Sequence, residues 1–203
     1  MHRMTRTALT AAAAGAFAFA AAPAAFAQDL NPPPPPEYTC HADGARTVCH
    51  KSVLEREDPI PTDIFCGSGA DEFEVWDQGL IHQRATRFYN ANGDLTKRIQ
   101  HERWTETQWS NPATGAYVPY TQMDTITDVF AVPGDFSSVT ETTVGENVYT
   151  DPITHRKVLR VAGRTVFSPE GDLEFRAGPN SFLDFFMDGD IHAFDALCAV
   201  LAS

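Results

Sequence analysis

Positive charge is scarce in this chain. Its 203 residues carry 15 lysines and arginines against 27 aspartates and glutamates, a formal net charge of −12. An average so acidic repels phosphate backbones and anionic lipid, which argues against nucleic acid and membrane surfaces as partners. Long apolar runs are confined to the first 27 residues, so no membrane span is expected once that stretch is removed. The motifs of common enzymes are missing as well. No phosphate loop, dinucleotide fingerprint, zincin helix or calcium loop of the D-x-[DN]-x-[DN]-G type appears, and Gly67-Ser68-Gly69 lacks the G-x-S-x-G spacing of a nucleophile elbow. An ordinary cofactor enzyme is therefore disfavoured, and no cofactor is expected.

What is present begins with an export signal. Residues 1–27 have a basic start (Arg3, Arg6), an alanine-rich apolar run and Ala25-Phe26-Ala27 as an A-x-A cleavage site, the anatomy of a signal peptide. Its removal takes two arginines and no acids, moving the formal charge from −12 to −14. A secreted, extracellular location follows, and with it an oxidising compartment in which four cysteines imply two disulfides. Residues 28–39 hold five consecutive prolines, Pro32 to Pro36, and read as a stiff proline-rich linker. Residues 40–63 form an N-terminal extension in which Cys40 and Cys49 flank an Asp43-Gly44 turn. A metal site built on Cys40-His41 and Cys49-His50 is disfavoured, because neighbouring side chains in an extended strand point to opposite faces. Of the three pairings open to four cysteines, Cys40–Cys49 with Cys66–Cys198 ranks first, the second link stapling the two ends of the domain.

Residues 64–203 form the folded domain. A phrase occurs twice: Tyr89-Asn90-Ala91-Asn92-Gly93-Asp94-Leu95 before Arg98, and Phe167-Ser168-Pro169-Glu170-Gly171-Asp172-Leu173 before Arg176. Each reads as a hairpin with a type I turn closed by glycine, which sets Tyr89 against Leu95 and Phe167 against Leu173. Strand-like runs recur from Phe73 to Ala177 without helical pattern between them, so the fold class is all-β: an antiparallel meander closing into a small β-barrel, or else a sandwich. Phe182 to Phe186 reads as a last strand. Asp188-Gly189-Asp190 then caps a short C-terminal helix with Ile191, Phe194, Leu197, Cys198 and Leu201 at helical spacing.

Candidate chemistry is thin. Simple alternation on the first hairpin puts Gln83, Arg87, Lys97 and His101 on the face of Tyr89 and Leu95, where they could orient a ligand in a cavity mouth. It sets His82 opposite Glu102 on the other face. On the second hairpin Val161, Gly163, Thr165, Phe167, Leu173 and Phe175 share a core side, with Arg160, Arg164, Glu174 and Arg176 on the wet side, where the arginines are expected to pair with carboxylates. Trp104, Trp109, Tyr117 and Tyr120 cluster around a turn at 111–115. Asp184, Asp188, Asp190, His192 and Asp195 suggest calcium only weakly, and no bound metal is expected.

The signal peptide, Phe65-Cys66-Gly67 before the first strand, the repeated glycine turns and Leu197-Cys198-Ala199 near the end together resemble a large group of uncharacterised secreted proteins of high-GC Gram-positive bacteria. The resemblance covers Phe65 to Ser203. It implies a β-barrel-like domain and carries no activity or catalytic residues. The expectation is a secreted monomer that binds a small apolar or amphipathic ligand, or a cell-envelope protein, without turning it over. The alternatives are a barrel enzyme of isomerase or cyclase type and a structural envelope protein.

Overall fold

A computed structural model describes residues 29–190 and 192–203. The signal peptide expected over residues 1–27 lies outside the described residues. The fold is one antiparallel meander of eight strands: β1 (Thr39–Asp43), β2 (Arg46–Cys66), β3 (Phe73–Tyr89), β4 (Leu95–Ser110), β5 (Tyr117–Phe130), β6 (Val139–Thr150), β7 (Lys157–Phe167) and β8 (Leu173–Ala177), each paired with its neighbours in chain order. Two short helices follow, α1 (Ser181–Phe186) and α2 (Asp195–Leu201).

The all-β meander is as expected; closure is not. The ladder ends at β1 on one side and β8 on the other, so the sheet is open. It is nevertheless strongly curled. Helix α2 touches β2, β5 and β7 at once, yet β2 and β7 lie about 24 Å apart in a flat sheet, and seven helical residues reach only about 10 Å. The sheet must wrap the helix, which gives it an inner face and an outer face. Where a barrel would pair its edges, the helices plug the curl: Leu197 and Leu201 are fully buried, and Phe182 and Phe194 pack on Trp109.

Two segments differ from expectation. The stretch Val53 to Thr62, whose run of charges and Asp58-Pro59-Ile60-Pro61 suggest an irregular approach to the sheet, belongs to the 21-residue β2. Pro59 and Pro61 are tolerated there because they flank register shifts and, beyond His50, β2 has no partner on its β1 side. The Phe182–Phe186 segment is helix α1, capped by the Asn180 side chain accepting from the Leu183 N–H; its aromatic rings are needed over one end of the curl, not in an eighth ladder. Likewise α2 starts at Asp195 rather than at the Asp188-Gly189-Asp190 turn, which lets Phe194 enter the core as its N-cap residue.

The proline-rich segment lies against the sheet. Asn31 bridges to Asp94, the Tyr89 hydroxyl donates to the Pro32 carbonyl at 3.0 Å, and Leu30 and Tyr38 pack on Tyr89, Leu95 and Phe130. That cluster, closed by the Cys40–Cys49 disulfide, is one apolar end of the inner face. The other end is larger. Ile64, Val75, Trp109, Val118, Tyr120 and Tyr149 gather with the helices there and enclose the Cys66–Cys198 disulfide. Both disulfides pair as ranked, so none of the four cysteines offers a free thiolate to a metal.

Candidate functional site

Both hairpin turns have the expected register, Tyr89 opposite Leu95 and Phe167 opposite Leu173. The four residues proposed from the first hairpin are nevertheless divided. A bulge at Thr96 intervenes, so Lys97 pairs with Phe88, Arg98 with Arg87, Gln100 with Ala85 and Glu102 with Gln83. One inserted residue reverses every side chain that follows. Gln83 and Arg87 stay on the inner face; Lys97 and His101 move to the outer face, with His101 opposite Arg84 and its Nδ1 3.0 Å from the Thr125 hydroxyl. By the same shift His82 faces Arg103 rather than Glu102. Arg87 is buried against the Tyr38 ring, 5.0 Å from its centroid, and serves the apolar end.

The second hairpin carries a similar slip. Phe175 pairs with Val166 and lies exposed beneath the Arg164 guanidinium, while Arg176 pairs with Thr165 on the inner side. Arg176 forms ion pairs with Asp184 and Asp188, and Arg160 pairs with Glu146 at 2.6 Å. Asp190 accepts from the His192 backbone N–H. Among the described residues, no group of three histidine, cysteine, aspartate or glutamate side chains is arranged to hold a metal ion.

Between its two apolar ends the inner face is polar. Glu102 is held by three neutral donors, Gln83 at 2.9 Å, Gln100 at 2.6 Å and the Trp104 indole at 3.4 Å. Next to it across the ladder Asp124 accepts from Gln122, and burial followed by the neighbouring Glu102 charge pushes its carboxyl upward. Gly145 opposite leaves the room: a Cβ there would lie 1.7 Å from an Asp124 carboxylate oxygen.

The best-built feature lies where this polar waist meets the larger apolar end. A cleft of about 410 Å³ is walled by Ile64, Trp104, Trp109, Tyr120, Tyr149 and Phe182, with Asp77, Gln122 and Asn147 as its polar groups. Asp77 is placed by strand alternation two residues after the buried Val75. The Tyr120 hydroxyl donates to both of its carboxylate oxygens, each at 3.0 Å. Burial outweighs that bond and raises the Asp77 carboxyl to about 6. Tyr120 is driven upward by its own burial and then by the Asp77 charge, so it stays a neutral donor. The rings interlock: Tyr120 stacks on Tyr149 at 4.9 Å, and Trp109 meets Tyr149 edge-on at 5.0 Å. Among the described residues the buried Trp109 Nε1–H has no hydrogen-bond partner. It lies close enough to Asp77 to favour the ionised carboxyl but is out of hydrogen-bonding geometry.

A second bulge builds this site. Strand β4 shifts register between Trp104 and Thr107, with Glu106 at φ 53°, so that Trp104 and Trp109, five residues apart, both enter the inner face. Gly79 permits it, because a Cβ at that position would lie 2.4 Å from the Thr107 methyl. The aromatic cluster read from the sequence thus holds for Trp104, Trp109 and Tyr120, whereas Tyr117 is exposed. Asp77, Gln122 and Asn147 were missed. The available signal was an acid on the parity of Val75 in a strand otherwise closing an apolar end.

Comparison with protein-family models, with curated proteins and with solved structures finds no match.

Proposed function

We propose that the inner-face cleft binds a small amphipathic molecule without converting it. The observation that carries this reading is the Asp77–Tyr120 pair set among four further aromatic side chains in an open cleft. Aromatic walls supply apolar contact, and a few fixed polar groups orient the occupant, which is the usual composition of a small-molecule site. The curled sheet plugged by helices does here what the interior of a closed barrel would do. Secretion completes the reading: the two disulfides fit an oxidising compartment, and no helix among the described residues is long and apolar enough to cross a membrane.

The test is nuclear magnetic resonance titration of the protein with a mixture of aromatic fragments. Saturable shifts are expected at Asp77, Trp104, Trp109, Tyr120 and Asn147, and they should disappear in Trp104→Ala. Saturable shifts confined to the outer face, around His82 and His101, would refute the assignment.

One observation favours a second reading. A carboxyl raised to about 6 and hydrogen-bonded by a neutral tyrosine is equipped to pass a proton near neutral pH, as an isomerase or cyclase requires. Turnover of a bound ligand that stops in Asp77→Asn with binding retained would establish it.

A further inference from the structure

The cleft contains a charge without a counter-charge. Among the described residues no lysine, arginine or histidine forms an ion pair with Asp77; its side-chain hydrogen bonds come from the Tyr120 hydroxyl. The other charge felt at Asp77 is Glu57, a second acid. Farther along the same face Glu102 and Asp124 are held by amide and indole donors, all neutral. Inner-face cations exist but are engaged elsewhere, Arg98 with Asp128, Arg87 against Tyr38, Lys51 with Glu37 and Arg176 with Asp184 and Asp188. A part-buried carboxylate left unpaired is costly, and folded proteins keep such groups where a ligand supplies the missing partner.

The walls indicate the kind of partner. Aromatic faces attract cations electrostatically, and this cleft holds Trp104, Trp109, Tyr120 and Tyr149 around the carboxylate. A bare metal ion fits poorly, since hard cations demand several oxygen ligands and Asp77 offers one carboxylate. We propose that the occupant is an amphipathic organic cation, a primary or substituted amine on an aromatic or alkyl body. Its ammonium group sits on the Asp77 carboxylate and its body lies along the Trp104 and Tyr120 rings. This rests on the cleft being the binding site.

The experiment compares three probes of one shape, benzylamine, benzyl alcohol and benzoate, by calorimetry and resonance shifts on the disulfide-intact protein at about pH 7.5. Benzylamine is expected to bind about tenfold tighter than benzyl alcohol, with benzoate weakest. The amine preference should vanish in Asp77→Asn, whose fold is checked by its melting profile. Lowering the pH of the wild type to about 5 carries Asp77 through its titration near 6 and should cut the preference several-fold without any substitution. The other titratable groups that bear on the cleft are Tyr120 on β5 and Tyr149 on β6 in its walls, with Glu57 on β2 and Asp124 on β5 beyond them; both tyrosines remain neutral throughout, and Asp124 and Glu57 are the same in the Asn variant. Equal binding of amine and alcohol at the cleft, or an amine preference that survives Asp77→Asn, overturns the cation and leaves the cleft standing. Binding of none of the three overturns both.

Discussion

Asp77 should make the protein less stable than it could be. Its carboxyl titrates at about 6 in the folded chain against an ordinary value of 3.8, so the folded state holds a proton more tightly than the unfolded one. The stabilisation due to that proton is full below the unfolded value and is lost as pH rises through about 6. Integrated over that gap the loss is about 3 kcal/mol at neutral pH. Asp77 lines an open cleft, and solvent screening reduces the figure to about 1–2 kcal/mol. Asp77→Asn keeps an acceptor for the Tyr120 hydroxyl and carries no charge, so at about pH 7.5 it is expected to stabilise the chain by that amount. At about pH 4 the gain should shrink towards zero. For a chain of this size the difference corresponds to a few degrees in Tm. Urea unfolding of both proteins at several pH values reads it directly, and the difference between them cancels the other carboxylates. Equal destabilisation at every pH would mean that Asp77 is a structural acceptor whose charge is not penalised, and the reasoning behind the cleft would fail with it. The expected sign also explains why the residue is informative: a position at which a neutral isostere is more stable is one where stability is given up for function.

The two disulfides should differ in worth. Cys66–Cys198 joins positions 132 apart and Cys40–Cys49 positions 9 apart, so loop entropy assigns about 5 kcal/mol to the first and about 3 to the second; replacing each pair by serine and measuring denaturant midpoints should show the long-range link costing more. Leu197, fully buried between the helix and the curl, should cost about 2–5 kcal/mol as Leu197→Ala, read by thermal melting. Glu106→Gly removes the positive-φ strain at the β4 bulge and an exposed ion pair with Arg56, and a net gain of up to about 1 kcal/mol in denaturant unfolding is expected because exposed pairs contribute little.

Much of the fold was legible because it is written locally. The two Asn/Ser-x-x-Gly-Asp turns fix their hairpins: Asn90 and Ser168 accept from residues on the far side of their own turns, and Gly93 and Gly171 take φ near 86° and 87°. Cysteines at the two ends of a secreted-type domain pair where the chain ends meet. Closure was illegible for a physical reason. Whether β1 and β8 can meet depends on how far the sheet curls and on what fills it, and α1 and α2 fill it first with Phe182, Phe194 and Leu197. Neither quantity has a local pattern. The 182–186 run shows the same limit, since Phe-Leu-Asp-Phe-Phe suits a buried strand or a short helix, and Asn180 as N-cap decides for the helix.

The site was harder to read than the fold because it depends on parity, and parity is carried along a strand only until a bulge. Counting from Leu95 in strict alternation places Lys97 and His101 inward and Trp104 outward; the extra residue at Thr96 reverses all three. Continuing from Trp104 places Trp109 outward; the shift beside Glu106 reverses it. Two local insertions thus turn Lys97, His101 and Arg103 off the inner face and bring in the indoles. The result is a face on which Asp77, Glu102 and Asp124 meet amides and rings, while Arg84, His101, Arg103 and Lys97 stand on the outer side of the same strands. On a chain of net charge −12 the average predicts an evenly acidic surface. Along the cleft side of β3 to β5 the pleat instead turns these four cations away, and among the described residues Asp77 is left with the neutral Tyr120 hydroxyl and no ion-pair partner.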